Sequence, residues 1–357
     1  MTQGLVLYAP NVHTGGGFVL LQSLLAAWQG VVPLTAFLDS RARERLELPQ
    51  GVKVSWVVAS LDSRLKAEFG LRKTAGPCDT VLCFHGLPPL LPSVARVVVF
   101  QQNRNYLGIN ALSQFAWKTR LRLTFERIVS RVFRHRVSEY VVQTPAMRRA
   151  LLQWYAAPEL SQAPTVKVLP FFDAITVPND RAGPSPEWDF VYVADGEAHK
   201  NHRVLLDAWR LLAQESLRPS LALTLSPRDE LLRLEVQAAR AQASLNICNL
   251  GQLPREQVLE LYNRARAMIF PSTSESFGLP LVEAVHLGLP ILASELDYVR
   301  DVCSPVHTFD PSSPVSVARA VKRFLGCPEA AITLRTPGDF WSELLRQTDP
   351  VRSEQIE

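Results

Sequence analysis

The chain of 357 residues is long for a single hydrophobic core and comfortable for two domains. Its hydrophobic content of 47% is ordinary for a globular protein, and no apolar run approaches the length of a membrane span. The five cysteines form no Cys-x-x-Cys pair, and the N-terminus enters an apolar segment without a basic region before it. We therefore expect a protein of the reducing cytoplasm that carries no secretory signal.

Short apolar segments alternate with helical patterns along the chain, and each segment predicts a buried strand. Seven lie in the first half, at residues 5–9, 31–38, 52–58, 79–84, 95–100, 138–143 and 166–170. Five lie in the second half, at residues 188–194, 220–225, 244–248, 266–270 and 290–293. Strands that alternate with helices indicate parallel sheets with helices on both faces.

The stretch from Thr176 to Pro186 separates the two halves and holds three prolines, a glycine and little apolar content. Such a composition is typical of an interdomain linker. We therefore predict two doubly wound α/β domains, residues 1–177 and 178–340, followed by a helical tail at 341–357. In open sheets of this kind, ligands bind beyond the carboxyl ends of the strands.

Three glycines, Gly15, Gly16 and Gly17, follow the first predicted strand. Glycines at such a place let the backbone approach a phosphate or a sugar closely, although a flexible turn has the same composition. The Gly-x-Gly-x-x-Gly spacing of dinucleotide-binding proteins is absent. The glycines therefore indicate a ligand loop without identifying the ligand.

The net charge of +4 hides an excess of basic residues in the first half. Residues 1–175 carry 20 Lys/Arg and 10 Asp/Glu, and ten of these basic residues lie between Arg104 and Arg149 with two acidic ones. Apolar and basic residues are interleaved there, which suits either a surface helix packed on its own domain or a helix on an anionic membrane. Nucleic acid fits this pattern less well, and we expect no nucleic-acid partner.

Lys200 lies in the segment His199-Lys200-Asn201-His202, after the first strand predicted for the second half. A lysine between a strand and a helix suits a diphosphate leaving group, because it neutralises charge as a glycosidic bond breaks. The alternative interpretation is an ordinary surface lysine.

Glu275 and Glu283 stand eight positions apart across a predicted loop and helix. Pro280 suits the first turn of this helix, and Gly288 suits the position just past its end. The backbone N–H groups of residues 277–279 then lie at the helix N-terminus, where free donors and the helix dipole favour an anion. Two carboxylates that flank an anion site suit a nucleotide sugar, which has hydroxyl groups on both sides of its phosphates.

Together these motifs resemble the retaining glycosyltransferases of the two-domain GT-B fold, in particular family four, the glycosyl transferases group 1. A lone Glu-x7-Glu pair arises by chance in many helices, whereas the matching segments here are collinear and cover most of the chain. They are residues 11–17, 139–144, 166–170, 199–209, 249–253, 274–283 and 289–294. The resemblance implies two Rossmann-like domains that face each other across a cleft, with the tail crossing back to the first domain.

The resemblance also implies roles for the motifs. Glu275 would contact the hydroxyl groups of the donor sugar, Glu283 those of the ribose, and Lys200 the diphosphate. The other donor-binding residues would be Gly15, Gly16, Gly17, Gly251, Leu253, Phe277, Gly278 and Leu279. The catalytic residues would be Glu275, Lys200, Gln101 and His85, and the acceptor side would hold Asn103 and Arg104.

Two departures from the family pattern concern these roles. The arginine that usually precedes the lysine is missing, because the stretch reads Ala194-Asp195-Gly196-Glu197, and Arg228 after the next strand is a candidate replacement. The histidine that usually follows a later strand is replaced by Gln101 or Gln102, so we interpret the loop that begins there as a hydrogen-bonding wall for sugar or acceptor. His85 is either a further cleft residue or a histidine that caps its own strand.

We expect a glycosyltransferase that moves a sugar from a UDP- or GDP-sugar to a saccharide or lipid-linked acceptor in bacterial surface polysaccharide or lipopolysaccharide biosynthesis. The resemblance implies retention of configuration and a reaction without metal ion or other cofactor. We expect the protein in the cytoplasm, with the basic region 104–149 available to bind the inner membrane face. The alternatives are a degenerate regulator that binds nucleotide sugar, a GT-B-fold sugar-nucleotide epimerase and a phosphorylase.

Overall fold

The computed structural model describes residues 3–107, 112, 117–156, 164–172 and 186–330, and these form two α/β units, each built on one sheet. The strands of the first sheet are β1 (Leu5–Ala9), β2 (Leu34–Asp39), β3 (Lys53–Val57), β4 (Thr80–Cys83), β5 (Arg96–Phe100), β6 (Glu139–Val142) and β7 (Thr165–Val168). Those of the second are β8 (Trp188–Tyr192), β9 (Leu221–Leu223), β10 (Ile247–Asn249), β11 (Ala265–Phe270), β12 (Ile291–Ser294) and β13 (His307–Phe309).

Ten helices connect these strands within the described residues. In the first unit they are α1 (Gly15–Ala26), α2 (Leu61–Thr74), α3 (Trp117–Phe133) and α4 (Pro145–Tyr155). In the second they are α5 (His202–Gln214), α6 (Glu230–Ala243), α7 (Arg255–Asn263), α8 (Leu279–His286), α9 (Asp297–Arg300) and α10 (Pro314–Phe324). No helix in the described ranges is both long and apolar enough to cross a membrane.

All the strand pairs are parallel, in the orders β3-β2-β1-β4-β5-β6-β7 and β10-β9-β8-β11-β12-β13. In each sheet the order reverses direction beside the first strand, β1 or β8, which is the doubly wound arrangement. Each of the twelve predicted segments contains or overlaps a strand, and the predicted fold class is confirmed. The structure adds β13, which was not predicted. The predicted linker, apart from Pro186, and the predicted tail at 341–357 lie outside the described residues.

Both faces of the first sheet are covered, as its apolar strands require. Along β1, Val6 and Tyr8 point into one buried cluster, whereas Leu7 and Ala9 point into another on the opposite face. Consecutive strand residues alternate between faces, so a strand that is apolar throughout is stable only when helices pack on both sides. The second sheet has a single continuous core that its helices share.

The two units contact each other where the start of α4 meets the loop that precedes α8 and the helix α9. The Oγ1 of Thr144 donates to the carbonyl of Ser276 at 3.4 Å, and the N–H of Ala146 donates to Asp301 at 2.6 Å. Arg149 pairs with Asp297 at 3.0 Å. These contacts lie beside the carboxyl ends of both sheets, so they bring the two sets of strand-end loops face to face.

Candidate functional site

The loop between β11 and α8 presents three backbone donors at a helix start. Gly278 has a φ of 78°, a left-handed conformation that favours glycine, and it precedes the first helical residue. Its carbonyl accepts from the N–H groups of Leu281 and Val282. Among the described residues, none accepts a hydrogen bond from the N–H groups of residues 277–279 (Phe277, Gly278, Leu279). These donors and the helix dipole favour an anion at this point.

The same loop is tied to the turn that carries Lys200. The N–H of Thr273 and the hydroxyl of Ser272 both donate to the carbonyl of His199, at 2.8 and 3.1 Å. The hydroxyl of Tyr192 donates to the carbonyl of Lys200 at 2.7 Å, which ties the turn to strand β8. The two segments are far apart in sequence, and these bonds hold them side by side.

Lys200 and Glu275 form an ion pair, with 2.8 Å between Nζ and Oε1. Burial lowers the pKa of Lys200, but the charge of Glu275 outweighs burial and leaves that pKa above its usual value. Lys200 is therefore a cation at neutral pH. The motifs indicate contacts of these two side chains with different parts of one ligand, whereas in the structure they contact each other.

Two further titratable groups stand beside this pair. The imidazole Nδ1 of His199 lies 3.4 Å from a carboxylate oxygen of Glu197. Burial raises the pKa of Glu197, and the nearby Asp195 raises it further. Burial and the charge of Lys200 lower the pKa of His199. The stretch 194–197, which lacks the arginine of the family pattern, thus places the Glu197 carboxylate next to Lys200.

A cavity of about 320 Å³ lies between the two units. The second unit contributes Glu197, His199, Ser274, Glu275 and Ser276 to its lining. The first unit contributes Gly16, Asn103, Arg104, Asn105, Thr119, Arg122 and Leu123. Polar and charged side chains predominate in both sets, which suits a hydroxylated or anionic ligand better than an apolar one.

The three glycines form the first turn of α1 rather than a loop before it. Gly15 has a φ of 68°, so its conformation favours glycine. A Cβ on Gly16 would lie 2.8 Å from Cδ1 of Leu279, and one on Gly17 would lie 3.1 Å from Oε1 of Gln102. The absence of side chains therefore lets the start of α1 approach the start of α8, and the two helix N-termini face the same region.

In the loop after β5, two glutamines support the backbone and the next two residues line the cavity. Gln101 is buried, and its side chain donates to the carbonyl of Asn103 at 2.9 Å. Gln102 donates to the carbonyl of Phe84 at 2.7 Å. Asn103 and Arg104 line the cavity, but neither glutamine does. Gln101 thus supports the loop from outside the cavity lining, whereas the sequence predicts it in the wall of the cleft.

His85 also lies outside the residues that line the cavity. Its Nδ1 is 3.2 Å from the carbonyl oxygen of Tyr8, and its ring packs edge-on against the ring of that tyrosine. Desolvation lowers the pKa of His85 to about 4, so the imidazole is neutral near pH 7. These contacts match the interpretation in which His85 caps the end of its own strand.

Glu283 is buried on α8 and faces α7. The hydroxyl of Tyr262 donates to one carboxylate oxygen at 3.4 Å, and Nε of Arg255 lies 3.6 Å from the other. Burial raises the pKa of Glu283, although Arg255 and Tyr262 act against this rise. Neither partner could be predicted from the sequence, because no motif links residues of α7 to residues of α8. Glu283 does not line the cavity that contains Glu275.

Three other residues named from the sequence also lie apart from the cavity lining. Gly251 has a φ of 81°, with open space where a Cβ would stand, and its N–H donates to the side chain of Asn249 at 3.3 Å. Leu253 packs on the core of the second unit. Arg228 is exposed in a short turn between β9 and α6. The arginines that do line the cavity, Arg104 and Arg122, come from the first unit.

Helix α3 has two distinct faces. Thr119, Arg122 and Leu123 line the cavity. On the opposite face five large apolar residues are between 53% and 69% exposed, namely Trp117, Leu121, Phe125, Ile128 and Val132. Because an α-helix turns by about 100° per residue, these five positions fall within about 80° of the circumference. The exposed basic residues Lys118, Arg120 and Arg131 border this apolar stripe.

Within the described parts of the chain, no group of three or more His, Cys, Asp or Glu side chains is placed to hold a metal ion.

Part of the chain is similar in sequence to known glycosyltransferases. Residues 176–336 match the family model described as "Glycosyl transferases group 1", which confirms the resemblance indicated by the motifs. The chain is 34% identical to the O-antigen chain mannosyltransferase B of Escherichia coli over 116 residues, 31% of this chain and 30% of that protein. It is 28% identical to the D-rhamnosyltransferase WbpZ of Pseudomonas aeruginosa over 149 residues, 40% of this chain and 37% of that protein. The aligned part thus spans about a third of each relative.

Solved structures share the fold over most of the chain. Sucrose-phosphate synthase from Thermosynechococcus elongatus superposes with a TM-score of 0.65 at 17% identity, covering 91% of this chain and 90% of that one. The Anabaena protein HepE, solved with UDP and glucose, gives a TM-score of 0.63 at 16% identity, with the same coverage of both chains. The GT-B architecture predicted from the sequence is thereby confirmed.

Proposed function

We propose that this protein is a glycosyltransferase that moves a sugar from a nucleotide-diphosphate-sugar to a saccharide or lipid-linked acceptor. The observation that carries the proposal is the Lys200–Glu275 ion pair beside the amides of residues 277–279, at a polar cavity between two Rossmann-like units. A cation and free amides suit a diphosphate, and a carboxylate next to them suits the hydroxyl groups of the attached sugar.

Each part of the donor is assigned to particular residues of the two units. The diphosphate lies on the amides of residues 277–279 and on Lys200, with the first turn of α1 approaching from the other unit. Glu275 accepts hydrogen bonds from the sugar, and Glu283 accepts them from the ribose hydroxyls, with Tyr262 and Arg255 holding its carboxylate. Gly251 and Leu253 are proposed near the base.

Catalysis in this proposal is mainly electrostatic. As the glycosidic C–O bond breaks, its electron pair moves to the diphosphate, and positive charge develops on the sugar. Donors fixed in advance around the diphosphate lower this barrier, because they need no reorganisation during the reaction. We propose retention by attack from the same face, with the leaving phosphate accepting the proton of the acceptor hydroxyl, and no requirement for a metal ion.

The relatives support the substrate class. The chain is similar to bacterial mannosyl- and rhamnosyltransferases, one of them named for the O-antigen chain, and its fold is shared with a protein that binds UDP. We propose a UDP- or GDP-sugar donor and a role in bacterial surface polysaccharide or lipopolysaccharide biosynthesis in the cytoplasm. On the acceptor side we place Asn103, which lines the cavity from the first unit.

A thermal-shift screen with UDP-, GDP-, ADP- and CMP-sugars tests the donor assignment. We expect one UDP- or GDP-sugar to raise the melting temperature by mass action, since the ligand binds the folded state. Glu283→Ala is expected to abolish that ligand-induced shift, because the ribose loses its acceptor. The quantity compared is the shift caused by ligand, not the melting temperature of the variant itself.

Glu256→Ala is the matched control, because Glu256 is an exposed carboxylate on α7 close to Arg255. It should leave the ligand-induced shift unchanged. A full shift in Glu283→Ala would contradict the ribose assignment. Binding of nucleotide sugar without transfer to any acceptor would favour the regulator interpretation, which the carboxylates Asp195 and Glu197 in place of an arginine also favour.

We further propose that the exposed stripe of α3 lies on an anionic membrane surface. Its five apolar side chains form one narrow face, and basic residues border that face, which is the pattern of an interfacial helix. Anionic lipid headgroups complement Lys118, Arg120 and Arg131. Because the opposite face of α3 lines the cavity, this placement would set the cavity close to a lipid-linked acceptor.

Flotation with vesicles measures this membrane interaction. We expect the protein to float with phosphatidylglycerol–phosphatidylcholine vesicles and not with phosphatidylcholine alone, and high salt should weaken binding because it screens the charges. The double variant Leu121→Ser with Phe125→Ser should lower the partition by about tenfold or more, since two apolar side chains lose their burial.

The control for this variant is Leu231→Ser with Leu234→Ser, which removes two exposed leucines from α6 in the other unit. It should float like the wild type. Equal flotation with neutral and anionic vesicles would overturn the assignment. An equal loss of flotation in both double variants would overturn it as well. A dimer that dissociates in the α3 variant would instead identify a second copy of the chain as the occupant of the stripe.

A further inference from the structure

The candidate diphosphate site of the second unit is short of positive charge. Lys200 supplies one positive charge, but its Nζ lies 2.8 Å from the Glu275 carboxylate. Glu197 lines the same cavity, and Asp195 lies close enough to raise the pKa of that carboxyl. Three carboxylates thus surround one lysine at the place where a leaving group with at least two negative charges would lie. A second cation would reduce this excess of negative charge.

Arg104 of the first unit stands next to that place. Its backbone N–H donates to Oγ of Ser276 at 3.2 Å, and Ser276 directly precedes the free amide of Phe277. Arg104 also lines the cavity. The contact joins residues 172 positions apart in the chain, so it places an arginine of one unit against the anion-binding loop of the other.

The guanidinium of Arg104 is not satisfied by the described part of the chain. No described residue accepts a hydrogen bond from it or forms an ion pair with it, and its Nε is fully enclosed without an acceptor. An enclosed polar donor without a partner destabilises the protein, and more so when the group is charged. Such a group is stabilised when a ligand brings the missing acceptor.

We infer that Arg104 donates to the diphosphate of the nucleotide sugar and is the cation that replaces the arginine missing from the Asp195–Glu197 stretch. The inference rests on the proposed function and moves Arg104 from the acceptor side to the donor side. The diphosphate is then held from both units, by Lys200 and the amides of residues 277–279 on one side and by Arg104 on the other. The planar guanidinium suits phosphate oxygens because it presents paired N–H donors.

The other candidates fit this role less well. Arg228 is exposed in a turn outside the cavity lining. The side chain of Arg122 is 67% exposed and already faces Glu126, with 3.9 Å between Nε and Oε2. Arg104 thus combines an enclosed, unsatisfied donor with a direct contact to the loop that carries the amides.

Calorimetric titration of the full chain with UDP and GDP tests the inference, using whichever the wild type binds more tightly. Arg104→Gln is expected to raise the dissociation constant of that diphosphate by roughly 10- to 100-fold, the usual range for a lost hydrogen bond to a charged group. Binding of the corresponding nucleoside, measured by competition, should be unchanged. Arg104→Lys should recover part of the diphosphate affinity, because it restores the charge without the planar fork.

Arg228→Gln is the matched control and should bind diphosphate like the wild type. Equal diphosphate affinity in Arg104→Gln and wild type would overturn the inference, and so would an equal loss for nucleoside and diphosphate, which indicates a structural defect. A rise in the acceptor KM alone would return Arg104 to the acceptor side. If the wild type binds neither UDP nor GDP, the proposed function fails as well, and the two failures are distinguishable.

Discussion

Replacing Lys200 with methionine is expected to lower the rate of sugar transfer by roughly 100- to 1000-fold, the usual effect of removing one preorganised donor from a developing negative charge. Methionine keeps the length and apolar stem of the side chain but removes the cation that we place on the leaving diphosphate. The measurement is kcat with a saturating UDP- or GDP-sugar and acceptor. Lys200→Arg should retain a larger share of the activity, since it keeps the positive charge.

The same substitution affects stability, and the two effects can be separated. The side chains of Lys200 and Glu275 are 16% and 11% exposed, so Lys200→Met leaves a nearly buried carboxylate without its partner. Breaking a buried pair in this way costs about 3–5 kcal/mol, and the residual exposure favours the lower end. The double variant Lys200→Met with Glu275→Gln removes the lone charge. It should recover much of the melting temperature and none of the activity.

Lys66→Met is the control for a lysine ion pair without a ligand role. Lys66 pairs with Asp62 at 2.7 Å along α2, and both side chains are 76% exposed. Exposed pairs contribute little, so neither stability nor transfer should change noticeably. Wild-type transfer by a folded Lys200→Met protein would show that the diphosphate does not depend on this lysine.

The fold could be predicted because its strands are apolar and buried on both faces. The segments 79–84 and 266–270 contain the continuous apolar runs 81–84 and 267–270, and the parallel sheets require that pattern. Strand β13 (His307, Thr308 and Phe309) was missed because only its last residue is buried. The strands β9 and β10 are equally short but lie in apolar segments, whereas β13 begins with two polar residues and shows no apolar run.

The motifs predict the start of α8, whereas the contacts around it could not be predicted. The start of α8 could be located from Gly278 and Pro280, since each has a conformational reason to stand there. No local pattern could show that Lys200 meets Glu275, because the contact joins positions 75 residues apart. The Arg104–Ser276 contact between the units could not be predicted from the sequence either. Spacing within a motif predicts local geometry, whereas ion pairs across elements depend on how the two sheets are packed.

The excess of acidic side chains in the second unit gives a reason for both units to act together in the proposed reaction. The second unit supplies the amides and Lys200, yet it also places Glu197 and Glu275 at the cavity. A diphosphate that met this unit alone would face more negative than positive side chains. If Arg104 supplies the remaining cation, full stabilisation of the leaving group arises only when the contact between Arg104 and Ser276 is made. Separation of the units would then weaken donor binding.

Glu275→Gln is expected to bind the free nucleoside diphosphate more tightly than the wild type while transferring sugar roughly 100-fold more slowly. Without ligand, Lys200 is paired with Glu275 at 2.8 Å, so an incoming diphosphate competes with a carboxylate for the same ammonium group. Glutamine keeps the shape of the side chain but removes the charge, which frees Lys200 for phosphate. Because a charged hydrogen bond is stronger than a neutral one by about 1 kcal/mol, the affinity should rise by roughly fivefold.

The two opposite changes distinguish a sugar contact from a general defect, since unfolding or misplacement of α8 would lower both affinity and turnover. Calorimetry with UDP or GDP and a transfer assay on the same preparation measure them. Glu295→Gln is the control, because Glu295 forms an ion pair with Arg300 on the same unit but stands outside the cavity lining, and it should change neither quantity. A parallel loss of diphosphate affinity and transfer in Glu275→Gln would mean that this carboxylate supports the nucleotide rather than the sugar.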